Sequence, residues 1–279
     1  MGAITIQFLG TSSAHPIPRW GCSCPQCSEA RANPRYRRTR SAIVVNRSLL
    51  VDAGPDIYDQ LRRLPYNELH HIDNIIITHP HADHYLGLDD LSGLRRISSL
   101  PVLPICMIAD GWSLVQRAFR YLIAAETSEY DKRPFARREM SIDEPVQLHD
   151  GLVVTPFDSR HTQPFTTAAL LLEKDGKKVF YSPDFYNTDT ERLCDADLMI
   201  LDGSFLTRES MRSRYTPHLE EGMGRHRPIV EELAWARSMG AKQVIFTHLG
   251  HLRKTTAELM EFLDNDLCSL ATDGLEVTV

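Results

Sequence analysis

The chain has 279 residues, 42% of them hydrophobic and 24% charged, which is enough apolar material for a sizeable core and excludes a disordered chain. No run approaches 18 apolar residues, so neither a membrane span nor a membrane partner is expected. The net charge of −6 and pI of about 6.1 are the reverse of a non-specific nucleic-acid binder, so a nucleic-acid partner is disfavoured.

Residues 4–10 alternate, with Ile4, Ile6 and Phe8 on one face. They read as a first strand ending at Gly10-Thr11-Ser12-Ser13, not as the basic start and long apolar core of a secretion signal, and a cytoplasmic location is expected. Next comes Trp20-Gly21-Cys22-Ser23-Cys24-Pro25-Gln26-Cys27. Three of the six cysteines thus fall within six residues. Without a secretion pattern such clustering argues for metal rather than disulfides, and three thiols make three quarters of a tetrahedral zinc site. The plainer reading is three unbridged thiols on a loop. Cys106, Cys194 and Cys268 are scattered and read as buried and inert. A helix is expected over 27–33, before Pro34. Arg31, Arg35, Arg37, Arg38 and Arg40 form a basic stretch, either a solvated face or a positive rim for an anionic substrate. Residues 41–46 and 48–54 read as two strands turning at Asn46-Arg47. Asp52, at the end of the second, could accept a hydrogen bond from a metal-ligating histidine or its loop, or cap a helix over 56–64.

The most informative stretch is Ile75-Ile76-Ile77-Thr78-His79-Pro80-His81-Ala82-Asp83-His84-Tyr85-Leu86-Gly87. Three isoleucines read as a short buried strand, and Pro80 forces a turn. Histidines two apart on extended chain can converge on one ion. Asp83 and His84, at the start of a helix, can face a second. Imidazoles and a carboxylate suit zinc, manganese or iron.

Thr78-His79-Pro80-His81-Ala82-Asp83-His84 resembles the HxHxDH signature of the metallo-β-lactamase superfamily. The resemblance implies an α/β fold, the four-layer αββα sandwich of two mixed β-sheets flanked by helices. A single domain over 1–279 is expected, with a Cys-rich zinc knuckle at 20–28. Val51-Asp52-Ala53-Gly54 resembles the family's DxG element.

Downstream, helices are expected over 86–98 and 111–126, with a strand at 100–108 between them. Residues 127–140 read as a charged segment with little periodicity. A strand over 151–157 leads to His161, where the superfamily places its third single-residue ligand. Residues 168–173 are apolar, Lys174-Asp175-Gly176-Lys177 signals a hairpin, and 178–184 delivers Asp184, resembling the family's bridging aspartate. Residues 198–204 read as a buried strand ending in polar residues. His226 precedes Pro228, which suits the first turn of a helix. Residues 243–248 form the last strong strand and carry His248. A helix is expected over 254–264, and the C-terminus pairs as a strand.

By resemblance, His79, His81 and His161 bind one ion, Asp83, His84 and His248 another, and Asp184 bridges them. Two such cations activate a shared hydroxide for attack at phosphorus or a carbonyl. Asp at position 184 is typical of phosphodiesterases, ribonucleases and thioester hydrolases of the superfamily, whereas true β-lactamases commonly carry Cys there. Cys22, Cys24 and Cys27 with His251, three residues past His248, are similar to the structural zinc site of the PhnP-type cyclic-phosphate phosphodiesterases. The Trp20-Gly21 and Pro34–Arg38 segments and the His226 helix also match that family. It implies a metal-dependent hydrolase of a small, cyclic phosphodiester, with two manganese or zinc ions at the active site and one structural zinc. Asp83, Asp184 and His226 would be catalytic, His226 as general acid; the plainer reading of His226 is helix capping or exposure. The pattern departs from the family at Asp202-Gly203-Ser204-Phe205, which lacks a His that some relatives carry. Alternatives are a tRNA 3′-processing nuclease, or a metal-binding relative of the PqqB proteins of quinone-cofactor biosynthesis, which share a similar knuckle. The oligomeric state is left open, with a homodimer as one expectation.

Overall fold

A computed structural model of the protein describes residues 3–96, 102–124, 133–188, 191–212, 225–263 and 266–279. The strands are β1 (Thr5–Gly10), β2 (Ala42–Val45), β3 (Leu49–Val51), β4 (Asn74–Ile76), β5 (Leu103–Ile108), β6 (Ile123–Ala124), β7 (Phe135–Met140), β8 (Val146–Gln147), β9 (Val153–Asp158), β10 (Ala168–Lys174), β11 (Lys177–Tyr181), β12 (Leu198–Asp202), β13 (Val244–Thr247), β14 (Cys268–Leu270) and β15 (Glu276–Thr278). The α-helices are α1 (Pro25–Ala32), α2 (Ile57–Leu61), α3 (Tyr66–Leu69), α4 (Ala82–Tyr85), α5 (Leu88–Leu91), α6 (Trp112–Ala118), α7 (Arg208–Arg212), α8 (Ile229–Ser238) and α9 (Thr256–Leu263). One sheet runs β15-β1-β2-β3-β4-β5-β7-β6 and the other β14-β13-β12-β11-β10-β9-β8. Both are mixed, so the expected two-sheet sandwich is what the chain forms.

The four layers follow from a period-two division of apolar side chains. Leu49, Val51 and Ile76 of the first sheet face Leu170, Leu172, Val179 and Ile200 of the second. Leu50, Ile75 and Ile105 point the other way, under Leu88, Leu91 and Trp112 of α5 and α6. On the far face of the second sheet, Phe180, Met199 and Phe246 pack under Ile229, Leu233 and Leu259 of α8 and α9. Each fully buried Ile or Leu contributes roughly 1.5–3 kcal/mol over leaving it in water. Because both faces of β4, β12 and β13 are covered, these strands read as continuous apolar runs rather than alternating ones.

This topology gathers the chemistry on one edge. β3 and β4 are parallel, as are β11, β12 and β13. β9 is antiparallel to β10, which is antiparallel to β11, so β9 runs the same way as β11. Asp52, His79, His161, Asp184 and His248 follow the carboxyl ends of β3, β4, β9, β11 and β13, and Asp202 ends β12. The contacts among these side chains and His84 bring the ends of both sheets to one edge.

Several elements differ from expectation. The helix anticipated over 111–126 stops at Ala118, because Phe119 leaves the helical region at φ −126°, and Ile123–Ala124 pairs as an edge strand. Phe135–Met140 is a strand parallel to β5. Its pairing partner, not its polar, aperiodic sequence, determines that; 127–132 lie outside the described residues. The helix expected over 86–98 breaks into α5 and a tighter 3-10 turn over Ser92–Arg96, where Gly93 weakens it; residues 97–98 are outside the described set. Asp184 stands three residues beyond the end of β11. Cys194 is half-buried, unlike Cys106 and Cys268. Among the described residues no helix is long and apolar enough to cross a membrane.

Candidate active site

The 79–84 loop leaves β4 buried, with His81 in extended conformation at the cap of α4. Its approach to β3 is close. A Cβ on Gly54 would stand 2.0 Å from Asp83 O, and one on Gly87 would stand 2.1 Å from Gly54 O. Only glycine fits at these two positions, and that accounts for the glycine two residues after Asp52.

The structure brings His79, His81, Asp83, His84, His161, Asp184 and His248 together. The ligand atoms of His79, His81 and His161 lie within 4.8 Å of one another, as do those of Asp83, His84 and His248. His79 Nε2 is 2.8 Å from His81 Nδ1. Asp184 stands between the two groups. Its Oδ1 is 3.4 Å from His161 Nε2, and its Oδ2 is 2.9 Å from His84 Nε2 and 3.5 Å from His248 Nε2. The 2.9 Å approach lacks hydrogen-bond geometry. His84 Nε2, His161 Nε2 and Asp184 Oδ2 are all buried without a hydrogen-bond partner. Buried polar atoms left so are rare, and an inward-facing set of them on imidazole and carboxylate suits a divalent cation.

At His79, His84, His161 and His248 the Nδ1 nitrogen is engaged, which fixes the ring and aims Nε2 inward. His84 Nδ1 donates to Asp52 Oδ2 at 2.8 Å. Asp52 Oδ1 also accepts from Thr78 N at 2.8 Å. Asp52 thus takes the first of its two anticipated roles; the cap of α2 is Asp56. His161 Nδ1 donates to Arg225 O at 2.6 Å. His248 Nδ1 lies 3.0 Å from Ser204 Oγ, and His79 Nδ1 3.1 Å from Thr78 Oγ1.

The electrostatics of the two groups differ. Burial holds His79, His81 and His161 below the ordinary imidazole value, His161 at about 3, so these three present neutral rings. Burial opposes protonation of His84 and His248 as well. The carboxylates of Asp83, Asp52 and Asp184 around His84, and of Asp184, Asp202 and Asp83 around His248, outweigh it and shift both upward. That side of the site favours a positive charge, which a proton or a cation can supply.

His226 joins the same site. Its Nδ1 is 2.5 Å from Asp202 Oδ2 and 4.0 Å from Asp184 Oδ1, and its ring centroid is 4.5 Å from that of His161. Burial lowers its pKa, but Asp202 more than offsets this and the net shift is upward. It does not cap α8, whose cap is Pro228.

Asp202 and Ser204 were not singled out by sequence. Asp202 is fully buried and accepts from Phe185 N and Ser204 N as well as His226. Glu232 on α8 accepts from Asp202 N at 3.0 Å. A carboxylate at the end of a wholly apolar strand was the available signal, since such a group rarely lies buried without a partner.

About the knuckle, Cys22, Cys24 and Cys27 Sγ lie 3.3, 3.2 and 3.4 Å from His251 Nε2, a closed set suited to one cation. Most of the basic stretch is the solvated face: Arg31, Arg35 and Arg37 are exposed and Arg40 is half-buried, with Arg38 the exception. Arg38 is buried and donates to Thr11 Oγ1 and Ala271 O; Arg37 donates to Ala30 O.

Residues 47–249 match the family model for the β-lactamase superfamily domain. Coenzyme PQQ synthesis protein B of Methylobacterium sp. (strain 4-46) is 27% identical over 311 residues, covering 98% of this chain and 99% of that protein. The crystal structure of a diphosphatase from the PhnP family superposes with TM-score 0.79 at 23% identity, over 100% of this chain and 98% of the other. Zn2+-bound PqqB from Methylobacterium extorquens superposes with TM-score 0.76 at 20% identity, over 98% and 99%. At these identities the two structural likenesses speak to the fold.

Proposed function

The chain belongs to the β-lactamase superfamily, and on that premise we propose that it is a dinuclear metal-dependent phosphodiesterase acting on a small, cyclic phosphodiester. His79, His81 and His161 would hold one divalent ion, Asp83, His84 and His248 a second, with Asp184 shared between them. The observation that carries this reading is the split of Asp184, one oxygen towards His161 and the other towards His84 and His248. Two manganese or zinc ions bound there would lower the pKa of water and neutralise phosphoryl charge.

The chain's own residues supply the rest. Asp52, Ser204 and Thr78 hold the histidines in register, so little reorganisation is needed when substrate binds. Asp202 makes His226 more basic through Nδ1, which suits Nε2–H to donating to a departing alkoxide. Cys22, Cys24, Cys27 and His251 would hold a structural zinc. Its effect is mechanical: His251 is three residues from His248, so the knuckle fastens the N-terminal loop to the segment carrying an active-site histidine.

A second reading, a metal-binding protein of coenzyme synthesis, is favoured by the PQQ synthesis relative matched along nearly the whole chain. The complete set of seven inward-facing ligands argues for turnover. The deciding experiment measures metal content. It then assays bis(p-nitrophenyl) phosphate, 2′,3′-cyclic nucleotides, ribose 1,2-cyclic phosphate and a pre-tRNA. Hydrolysis of a small cyclic diester supports the proposal. Two ions per chain with no turnover of any of these would favour the binding role, and preferential cleavage of pre-tRNA the nuclease.

A further inference from the structure

Beside the Asp83 edge of the site lies a cleft of about 560 Å3, lined by His15, Pro16, Pro18, Arg19, Trp20, Arg40 and Asp56. Two contacts tie it to the site. Arg40 Cβ lies 3.5 Å from where a Cβ on Gly54 would stand, the same point that is 2.0 Å from Asp83 O. On the other side, Ser12 Oγ donates to His15 O, and Ser12 bridges to Leu249, the residue after His248. The volume falls in the range of small-molecule pockets, roughly 300–1,000 Å3.

Trp20 is the unusual member. It is 101% exposed, against 62% for Tyr58 and 61% for Tyr121, and leaves roughly 200 Å2 of aromatic surface in water. Its loop is nevertheless fastened on both sides. Arg31 of α1 donates to Arg19 O at 2.8 Å and to Cys22 O, bracketing Trp20, and Arg19 N donates to Cys27 Sγ at 3.3 Å. The indole therefore stands on a backbone already fixed before any ligand arrives, which lowers the entropic cost of binding to it. Arg40 is set into the wall by Asp56, 2.9 Å away, and by Ala14 O. An exposed aromatic platform, the apolar faces of two prolines and two guanidinium groups match a planar base carrying a phosphate. The net charge of −6 is unsuited to a long polyanion, which limits the ligand to a mononucleotide or a similarly short one.

We infer that this cleft binds the organic half of the substrate as a nucleotide, its base stacked on Trp20 and its phosphate directed past Arg40 to the His79–His248 centre. This rests on the phosphodiesterase reading and narrows it to nucleoside-linked diesters. It also gives the cysteine knuckle a second consequence, since Cys27 and Cys22 hold the two ends of the Trp20 turn.

The test is calorimetric titration of the zinc-loaded protein with AMP, with ribose 5-phosphate as the control lacking a base. AMP is expected to bind about ten-fold or more tightly than ribose 5-phosphate. Trp20→Ala, which removes no buried contact, should abolish that difference, and Trp20→Phe should keep most of it. Equal binding of the two ligands, or AMP held as tightly by Trp20→Ala as by the native chain, overturns the inference. Titration needs no turnover, so the two readings fail separately. Discrimination without hydrolysis of any diester leaves the cleft and removes the phosphodiesterase; hydrolysis without discrimination removes the cleft alone.

Discussion

Asp202 Oδ2 sits 2.5 Å from Nδ1 of His226, at the end of a strand whose other side chains are wholly apolar. The pair makes His226 more basic than an ordinary imidazole, which suits an acid that must still carry its proton near neutral pH. His226→Ala should lower kcat about 100-fold or more on a substrate with an alkoxide leaving group, and far less on bis(p-nitrophenyl) phosphate, whose leaving group departs without a proton. Asp202→Asn removes the charge that raises the His226 pKa. The basic limb of the kcat–pH profile should then move to lower pH, because His226 loses its proton sooner. Equal losses on both substrates would show that His226 is not the proton donor.

Asp184 is the group on which both halves of the site depend. Asp184→Ala should abolish turnover and reduce the divalent-ion content measured by mass spectrometry on the purified protein. Asp52→Asn acts one step further out, through His84 Nδ1, and should weaken metal affinity roughly 10- to 100-fold. Retention of full ion content and activity by Asp184→Ala would end the bridging assignment.

How much of this could be read from the residues alone follows from the range of the interactions involved. His79, His81, Asp83 and His84 lie within six residues, and a local motif is visible without coordinates. Buried runs such as Ile75–Ile77 and Leu198–Leu201 carry their own strand signal, whereas their assembly into a two-sheet sandwich was implied by the resemblance of the 78–84 motif to the metallo-β-lactamase superfamily. Phe135–Met140 was not, since its strand state comes from pairing with β5 rather than from its own polar sequence. Asp202 and Ser204 were missed for a related reason. Their meaning lies in His226 and His248, 24 and 44 residues away, and the local mark is no more than a carboxylate closing the apolar Leu198–Leu201 run.

Cys24 Sγ is 3.2 Å from His251 Nε2, joining the start of α1 to the segment after β13. Cys24→Ser should release one zinc per chain and lower Tm by roughly 5–10 °C, since a structural metal's binding energy is folding energy. Ion content and a melting curve are the readouts. An unchanged melting curve with unchanged zinc would mean that the three thiols hold no ion.

The last prediction concerns acid stability, away from the metal centre. Asp150 joins the two sheets: Asn46 Nδ2, in the β2–β3 turn, donates to Asp150 Oδ2 at 2.7 Å, and Lys174 Nζ of β10 donates to the same oxygen at 3.1 Å. Burial pushes its carboxyl up, but Asn46, the Leu152 N–H and Lys174 together outweigh that, and it titrates below the ordinary value of 3.8. A depressed carboxyl stabilises the fold above its unfolded pKa and loses that contribution as pH falls through the folded one. Asp150→Asn should therefore cost about 1 kcal/mol at pH 7, discounted for the side chain's partial exposure. The gap from the native chain should narrow as the pH drops below 3.8. Urea melts of the two proteins at pH 7 and pH 3 measure it. A difference as large at pH 3 as at pH 7 would assign the effect to packing rather than to the charge.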